Sequence, residues 1–416
     1  MTDQELEMRR DLLEKELGEV LSVLWDRLLQ IWPREQVVET MMLLGVGVLS
    51  GAYTPHQVIE RLGLDKNQIY NALGAETAAE WRRVIQELGY EALLQTVRPV
   101  LGKSAATRSR VCLTIILDDS LFRRYARQMA SIFKWWSGAF KAVRKGHDVL
   151  GLMIEVDGQV FILDWVVVSK CGRKRKPRWK YAIEMLQEFA RRMKAAGIDP
   201  ALFGLAMDWW YGQTKELVKA AVEIGLTVVS EPAINEIFSV GGQKQTVEEL
   251  KAIFRVQSHW GGFPTQRLRA TSETFGEVLL VLFKEGDTLT LLMAKAEKEK
   301  QAQRELRALP VIRIHKQRHW IEQNWRWQKS QLRTGKIQVR KGHKPKAGYT
   351  CRMVTYAILV ELQRRLRKYR TIGRQSIGTL LSWYQRLGAA FQVLARSLQG
   401  QFSCPMLWPN SRHPLI

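Results

Sequence analysis

Three carboxylates stand out by where they fall in the chain. The apolar, β-prone run Leu113-Thr114-Ile115-Ile116-Leu117 ends in Asp118-Asp119, and a second run, Leu205-Ala206-Met207, ends in Asp208. Far downstream, Glu322 sits in the pattern His315-x2-Arg318-x3-Glu322-x6-Lys329. Carboxylates from separate elements, gathered by a fold, are what holds two divalent cations ~3.5–4 Å apart against a phosphate diester. Asp118 and Asp119 both end the first strand, and strand alternation sends them to opposite faces. Asp118 is the preferred ligand and Asp119 the alternative. Asp157, in a hairpin turn, and Asp164, in mid-strand, are set aside.

The Glu322 segment reads as a helix over about 314–332. Each helical residue turns the side chain by about 100°, so Arg318, Glu322 and Lys329 fall near 300°, 340° and 320° from His315, with Arg326 beside them. One carboxylate among cations suits a metal ligand beside a phosphate backbone, with Arg318, Lys329, Arg326 and His315 as phosphate contacts. A solvated helix with Arg318–Glu322–Arg326 ion pairs gives the same pattern.

The elements that must position these groups follow from periodicity. Strands are expected at 111–117, 149–156 and 160–168, the last two joined by the hairpin signal Asp157-Gly158. A helix at 178–196, a strand at 202–207, a helix at 214–224 and a strand at 226–229 follow. The order β-β-β-α-β-α-β is an α/β fold with RNase H-like topology. Residues 233–309 break that pattern. The runs 275–283 and 288–293 flank Glu285-Gly286-Asp287 as a further hairpin, so a mostly β insertion is expected, followed by a charged exit helix. Neither a Walker A nor a Rossmann glycine motif is present.

Residues 1–105 read as a helical domain. Within it, Thr54-Pro55 starts one short helix, Gly63 supplies a turn and Asp65 caps a second that carries Ile69 and Leu73 inward. This is a helix-turn-helix pattern, with Lys66, Asn67 and Gln68 as DNA contacts and Tyr70 and Asn71 on the same outer face. An ordinary αα-hairpin has the same signature. The remaining boundaries are 106–232 for the first part of the core, 233–309 for the insertion, 310–345 for the core helix with Glu322, and 346–416 for a helical C-terminal region.

The 416 residues carry 64 Lys and Arg against 41 Asp and Glu, a formal charge of +23. The excess gathers in blocks at 170–180, 333–346 and 364–374, which favours a polyanionic partner. Cys112, Cys171, Cys351 and Cys404 are scattered and form no CxxC, so neither a zinc site nor a disulfide framework is implied, and a reducing cytoplasm fits. The most apolar stretch, 41–49, is far shorter than the ~20 residues of a membrane span. No membrane association is expected.

On these motifs the chain resembles the DDE transposases of bacterial insertion sequences, in the hairpin-forming family with the Y-x2-R-x3-E-x6-K signature. Three of the four signature positions match, and His315 stands where the family has tyrosine. Leu117-Asp118-Asp119-Ser120 looks like the family's first motif and Asp208-Trp209-Trp210-Tyr211 like its second. The resemblance spans about Arg110 to Arg370, and the β insertion before the glutamate is also the family's. It implies Asp118, Asp208 and Glu322 as catalytic ligands of two Mg²⁺ ions, for which Mn²⁺ can substitute. It further implies cleavage and strand transfer at transposon ends through a DNA hairpin, double-stranded DNA (transposon ends and target) as partner, and a homodimer on paired ends. Hairpin formation needs a flipped base stacked on an aromatic ring, for which Trp260 is the candidate; packing in a small β domain would explain Trp260 equally. A DNA-binding relative without activity, or a structure-specific nuclease on the same fold, are the alternatives.

Overall fold

The computed structural model describes residues 2–102, 113–123, 131–137, 141–156, 159–169, 176–296, 308–334, 344–369, 372 and 375–398. The expected hairpin turn Asp157-Gly158, three of the four cysteines (Cys112, Cys171 and Cys404) and much of the three basic blocks lie outside the described residues. The chain is mixed α/β, with helices at both ends and a mixed sheet between them, and it divides into two compact units.

Unit one comprises residues 1–89, 121–148 and 324–416. Its framework is α1 (Asp3–Glu7), α2 (Arg10–Ile31) and α3 (Glu35–Leu49), with α4 (Pro55–Leu62) and α5 (Lys66–Ala72) following. Every residue of α3 from Val37 to Leu49 is buried, because the last helices of the chain cover it. Lys344–Leu366 packs across α3, and Ala390–Ser397 packs across α2. Polar groups pin the contact: the Thr355 hydroxyl donates to the Gly45 carbonyl at 3.0 Å, and the Tyr384 hydroxyl to the Leu13 carbonyl at 2.9 Å. Within the helical C-terminal region, 377–398 forms two helices, because Gly388 takes a left-handed conformation (φ 66°) after Leu387 and ends the first.

A buried carboxylate with partly exposed cationic partners should give this unit a pH dependence. The carboxylate of Glu16 meets Lys368 at 2.8 Å and Arg365 at 3.7 Å and accepts the Tyr369 hydroxyl. Burial alone pushes its pKa up, but the Lys368 and Tyr369 hydrogen bonds and the Lys368 and Arg365 charges more than offset this and leave it below the ordinary value of 4.5. A carboxyl depressed in the fold contributes stability above its unfolded value, and that contribution is lost as pH falls through the folded value. Glu16→Gln is therefore expected to cost about 1–3 kcal/mol at pH 7. In thermal melts, the gap to the wild type should close as pH falls below about 4.5; a gap independent of pH assigns the cost to packing.

Unit two comprises residues 90–120 and 149–323. The strands carry it: β1 (Thr114–Arg123), β3 (Ala142–Val156), β4 (Gln159–Val168), β5 (Gly204–Met207) and β6 (Thr227–Ser230), with β2 (Phe133–Ser137) pairing the first half of β3 inside unit one. In the sheet β4 pairs β3, β3 neighbours β1, and β1 runs parallel to β5 and β5 to β6. The stretch read as an insertion does not form a separate layer. Its strands β10 (Phe263–Ser272), β11 (Gly276–Glu285) and β12 (Thr288–Lys295) continue the same sheet, since β12 pairs antiparallel with β6. The expected hairpin is there, turning at Gly286 with φ 56°. A helix at Ala308–Gln317 lies on this sheet and joins one core with Ala206, Val229, Val281, Phe283 and Leu292 through Val311, Ile312 and Ile314. It comes so close that a Cβ on Gly204 would stand 2.4 Å from the Ile314 side chain.

Candidate active site

Parallel pairing makes the site. The register of β1 with β5 runs from Thr114↔Gly204 to Leu117↔Met207. The next residues are Asp118 and Asp208, so the ladder that fixes the apolar pairs also sets these two carboxylates beside one another. One expectation needs correcting: β1 does not end at the aspartates but continues to Arg123, whereas β5 stops at Met207. Asp208 is released from the ladder and becomes the N-cap of a single turn, Trp209–Gly212, accepting the Tyr211 backbone N–H at 2.9 Å. The helix-cap reading and the functional reading of Asp208 are thus compatible, because the cap uses one carboxylate oxygen. The turn sits tightly on the sheet. A Cβ at Gly212 would come within 2.4 Å of the Ser230 side chain, so only glycine lets it close.

Asp119 is held differently. The buried Tyr211 hydroxyl donates to it at 2.7 Å, and Arg178, at the start of the helix Arg178–Ala195, lies 3.7 Å away. Asp118 accepts the Asp119 backbone N–H. Its carboxyl is pushed well above the ordinary range by burial and by the negative charges of Asp119 and Asp208, with Arg318 the main offset. Asp208 is likewise raised, by burial first and by Asp119, against the lowering pull of its cap hydrogen bond and of Arg318. Asp119 and Asp208 thus both load negative charge onto Asp118, and Arg318 offsets it.

The Glu322 segment departs from the expected helix. It is two helices, Ala308–Gln317 and His319–Ser330, separated at Arg318. The single-face arithmetic fails across the break, and His315 falls out of the set. It is mostly buried, 6.2 Å from the Phe283 ring, and burial first, then the Arg318 and Lys316 charges, lowers its pKa to about 4. Enclosed against Phe283 and 3.8 Å from a carboxylate oxygen of Glu231, it does not share the exposure of Glu322. Glu322, Arg326 and Lys329 do share an exposed face, with Lys329 over the Phe122 ring. The Glu322 side chain is 54% exposed and pairs with Arg318 at 3.2 Å. It does not close onto the aspartates: among the described residues no group of three or more His, Cys, Asp or Glu side chains is arranged to hold a metal ion. Asp118 and Asp208 have the donor type a divalent cation takes, while Glu322 is paired with Arg318 instead of with them.

The helix-turn-helix segment forms as read. Thr54 and Gln57 make a reciprocal capping box, Gly63 turns the chain at φ 61°, and Asp65 caps α5 through the Asn67 N–H at 2.8 Å. Lys66, Asn67 and Asn71 are exposed, while Gln68 and Tyr70 are half-buried, so the outer face is narrower than expected. Trp260 lies on the short strand Ser258–Trp260, 37% exposed, and is no core residue. Asp164 is buried, accepting the Trp165 N–H at 2.7 Å.

Sequence reasoning passed over Arg178, counted only within a basic block, and Trp209 and Trp210, quoted only as part of a motif. The available signal was an aromatic run directly after a strand-ending aspartate. Comparison with protein-family models gives no match, and comparison with curated proteins gives none.

Proposed function

We propose that the chain is a DNA transposase with an RNase H-like core, cutting and joining DNA at transposon ends through a hairpin intermediate. The observation that carries this reading is the parallel register that sets Asp118 beside Asp208. Two features support it. Numbered among the five core strands, the sheet order β4-β3-β1-β5-β6 is 3-2-1-4-5, with the last two parallel to the first, the order of an RNase H-like sheet. Arg318 lies between the aspartates' field and Glu322, where a phosphate diester would find both a cation and a carboxylate.

Asp118 and Asp208 would hold the divalent ion, with Glu322 joining from the helix His319–Ser330. When bound, the ion activates water and stabilises the leaving 3′-oxygen. The chain's own groups do the rest. Tyr211 and Arg178 hold Asp119 in place, which fixes the negative wall of the site. Arg318 exchanges its pair with Glu322 for a phosphate oxygen, which both grips the cut strand and frees the glutamate. The freed 3′-OH would then attack the phosphodiester of the opposite strand, forming a new P–O bond as the flanking DNA's 3′-oxygen leaves, which closes the hairpin; a dimer on paired ends would coordinate the two cuts.

The test is a strand-resolved assay of the purified chain with Mg²⁺ on DNA carrying the element's ends. Nicking, hairpin and strand-joining products are expected. Cleavage of branched DNA without joining points to a structure-specific nuclease, and binding without cleavage to an inactive relative. In the same preparation, Lys66→Ala with Asn67→Ala is expected to weaken end binding and to reduce the salt slope by about one. An unchanged affinity and slope would make α4 and α5 scaffold only.

A further inference from the structure

We propose that the outer face of the β2–β3 ribbon, built from Lys134, Trp136, Val143 and Lys145, grips the backbone of duplex DNA, the lysines taking phosphates and the Trp136–Val143 pair the apolar sugar edge of a groove. This rests on the transposase reading only for which DNA is gripped. It uses none of the residues of α4, α5 or the aspartate cluster, and binding does not require cleavage.

The register builds the face. β2 and β3 pair antiparallel, with Lys134 opposite Lys145 and Trp136 opposite Val143. Strand alternation puts these four side chains on one side of the ribbon and Trp135 on the other. Burial follows the alternation. Lys134, Trp136, Val143 and Lys145 are exposed, while Trp135 is buried, its ring centre 6.3 Å from that of Phe133. β3 is held close where Gly146 passes Phe122, since a Cβ there would stand 2.4 Å from the Phe122 carbonyl oxygen. The ribbon thus has one anchored side and one offered side.

The offered side does little for the fold. Like charges directly opposite one another on antiparallel strands are destabilising, and Lys134 faces Lys145. Trp136 is 65% exposed and Val143 55%, so the apolar pair between the solvent and the ribbon buries little. Lysines alone would be explained as guards of a sheet edge, since among the described residues β2 pairs only with β3. A tryptophan in the middle of the same face works against a guard, because it invites the contact that the lysines deter. A polyanion fits both features: it attracts the lysine pair and covers the indole. Residues 131–148 carry Lys134, Lys141, Arg144 and Lys145 against a single carboxylate, Asp148, which is buried. A second copy of the chain on this face would set lysines against lysines, so charge favours nucleic acid over self-association. A two-stranded ribbon is narrow enough to enter the major groove of B-DNA, and two lysines side by side across it can diverge to phosphates on the two walls.

The experiment is fluorescence anisotropy of a labelled DNA duplex titrated with the full chain over a range of salt concentrations. The variants are Lys134→Gln with Lys145→Gln, Trp136→Ala, Trp136→Phe, and a control pair, Lys219→Gln with Lys244→Gln, which removes the same charge from two other exposed lysines. Neutralising the ribbon pair is expected to weaken binding and to lower the salt slope by about two. Its melting temperature should be no lower than the wild type's, because the facing like charges are gone. Trp136→Ala should weaken binding roughly 3- to 10-fold at an unchanged slope, and Trp136→Phe should keep part of that affinity. Unchanged affinity and slope in the ribbon pair, or an equal loss in the control pair, overturns the proposal. So does tighter binding of duplex RNA than of duplex DNA. A dimer seen by sedimentation without DNA and dissolved by Trp136→Ala also overturns it, by giving the face to a second copy. A ribbon-dependent slope in a chain that never cleaves DNA leaves the ribbon standing and removes the transposase reading. Cleavage with a ribbon-independent affinity does the reverse.

Discussion

An Asp118→Asn chain is expected to melt at a higher temperature than the wild type while losing DNA cleavage by at least about 10³-fold. Both effects have one source. The half-buried Asp118 carboxyl stands among the charges of Asp119 and Asp208, and desolvation and those charges hold its pKa well above the ordinary value. A carboxyl raised in the fold binds its proton more tightly there than in the unfolded chain, so ionising it at neutral pH costs stability. That cost fades as pH falls through the raised folded value and is absent below the unfolded one. Asparagine removes it, for an expected gain of about 0.5–2 kcal/mol, in the range of neutralised functional sites. The gain should shrink on acidification, which differential scanning calorimetry at several pH values can follow. Mg²⁺ should raise the melting temperature of the wild type by preferential binding to the folded chain, and do so far less for the variant. Asp119→Asn discriminates between the adjacent aspartates. If Asp119 is a held wall and Asp118 the ligand, its loss weakens cleavage but leaves the Mg²⁺ shift. A variant of Asp118 that loses stability, or keeps cutting, would exclude it as the ligand.

Arg318→Ala should produce the second large effect, with the opposite sign on stability. Arg318 is the cation that offsets both raised aspartates and the partner of Glu322. Without it the like charges repel with less relief, so the fold should weaken at neutral pH and recover toward acid, where the aspartates are protonated. Cleavage should fall by about 10²–10³-fold, the scale on which one aimed donor to a transition-state oxyanion acts. Added Mg²⁺ can restore the lost charge compensation but not the phosphate contact, so stability should recover with metal while the rate does not. Arg318→Lys keeps the charge but loses the planar fork and should recover stability better than rate. Equal recovery of both by Lys would reduce Arg318 to a point charge.

Seven of the strands and most helices were legible because their signals are local, whereas the strands at 133–137, 237–246 and 258–272 carried no run that announced them. The apolar runs ending at Leu117 and Met207, the hairpin at Gly286 and the capped pair α4 and α5 each carry their own chemistry of alternation, turn and cap. What could not be read was tertiary. No sequence period announces that residues 263–295 extend the same sheet, since an antiparallel edge pairs by backbone alone. The break at Arg318 was hidden because residues on both sides keep helical spacing; the buried face changes, and His315 turns inward with it. Glu322 was legible as a carboxylate among cations, but spacing cannot say which cation claims it, and Arg318 does. The aspartate pair was legible because register and motif point the same way.

The joining of the first and last helices into one unit has a consequence for how the chain is made. The apolar surface of α3 leaves the ribosome early, but the helices Lys344–Leu366 and Ala390–Ser397 that cover α2 and α3 are synthesised some three hundred residues later. At about 5–20 residues per second, that surface stays without its native cover for tens of seconds. The catalytic sheet is translated in between and can form while the helix-turn-helix segment still hangs from an unfinished bundle. A chain cut short in its final helices would therefore carry the aspartates on a formed sheet but leave α2 and α3 without their cover.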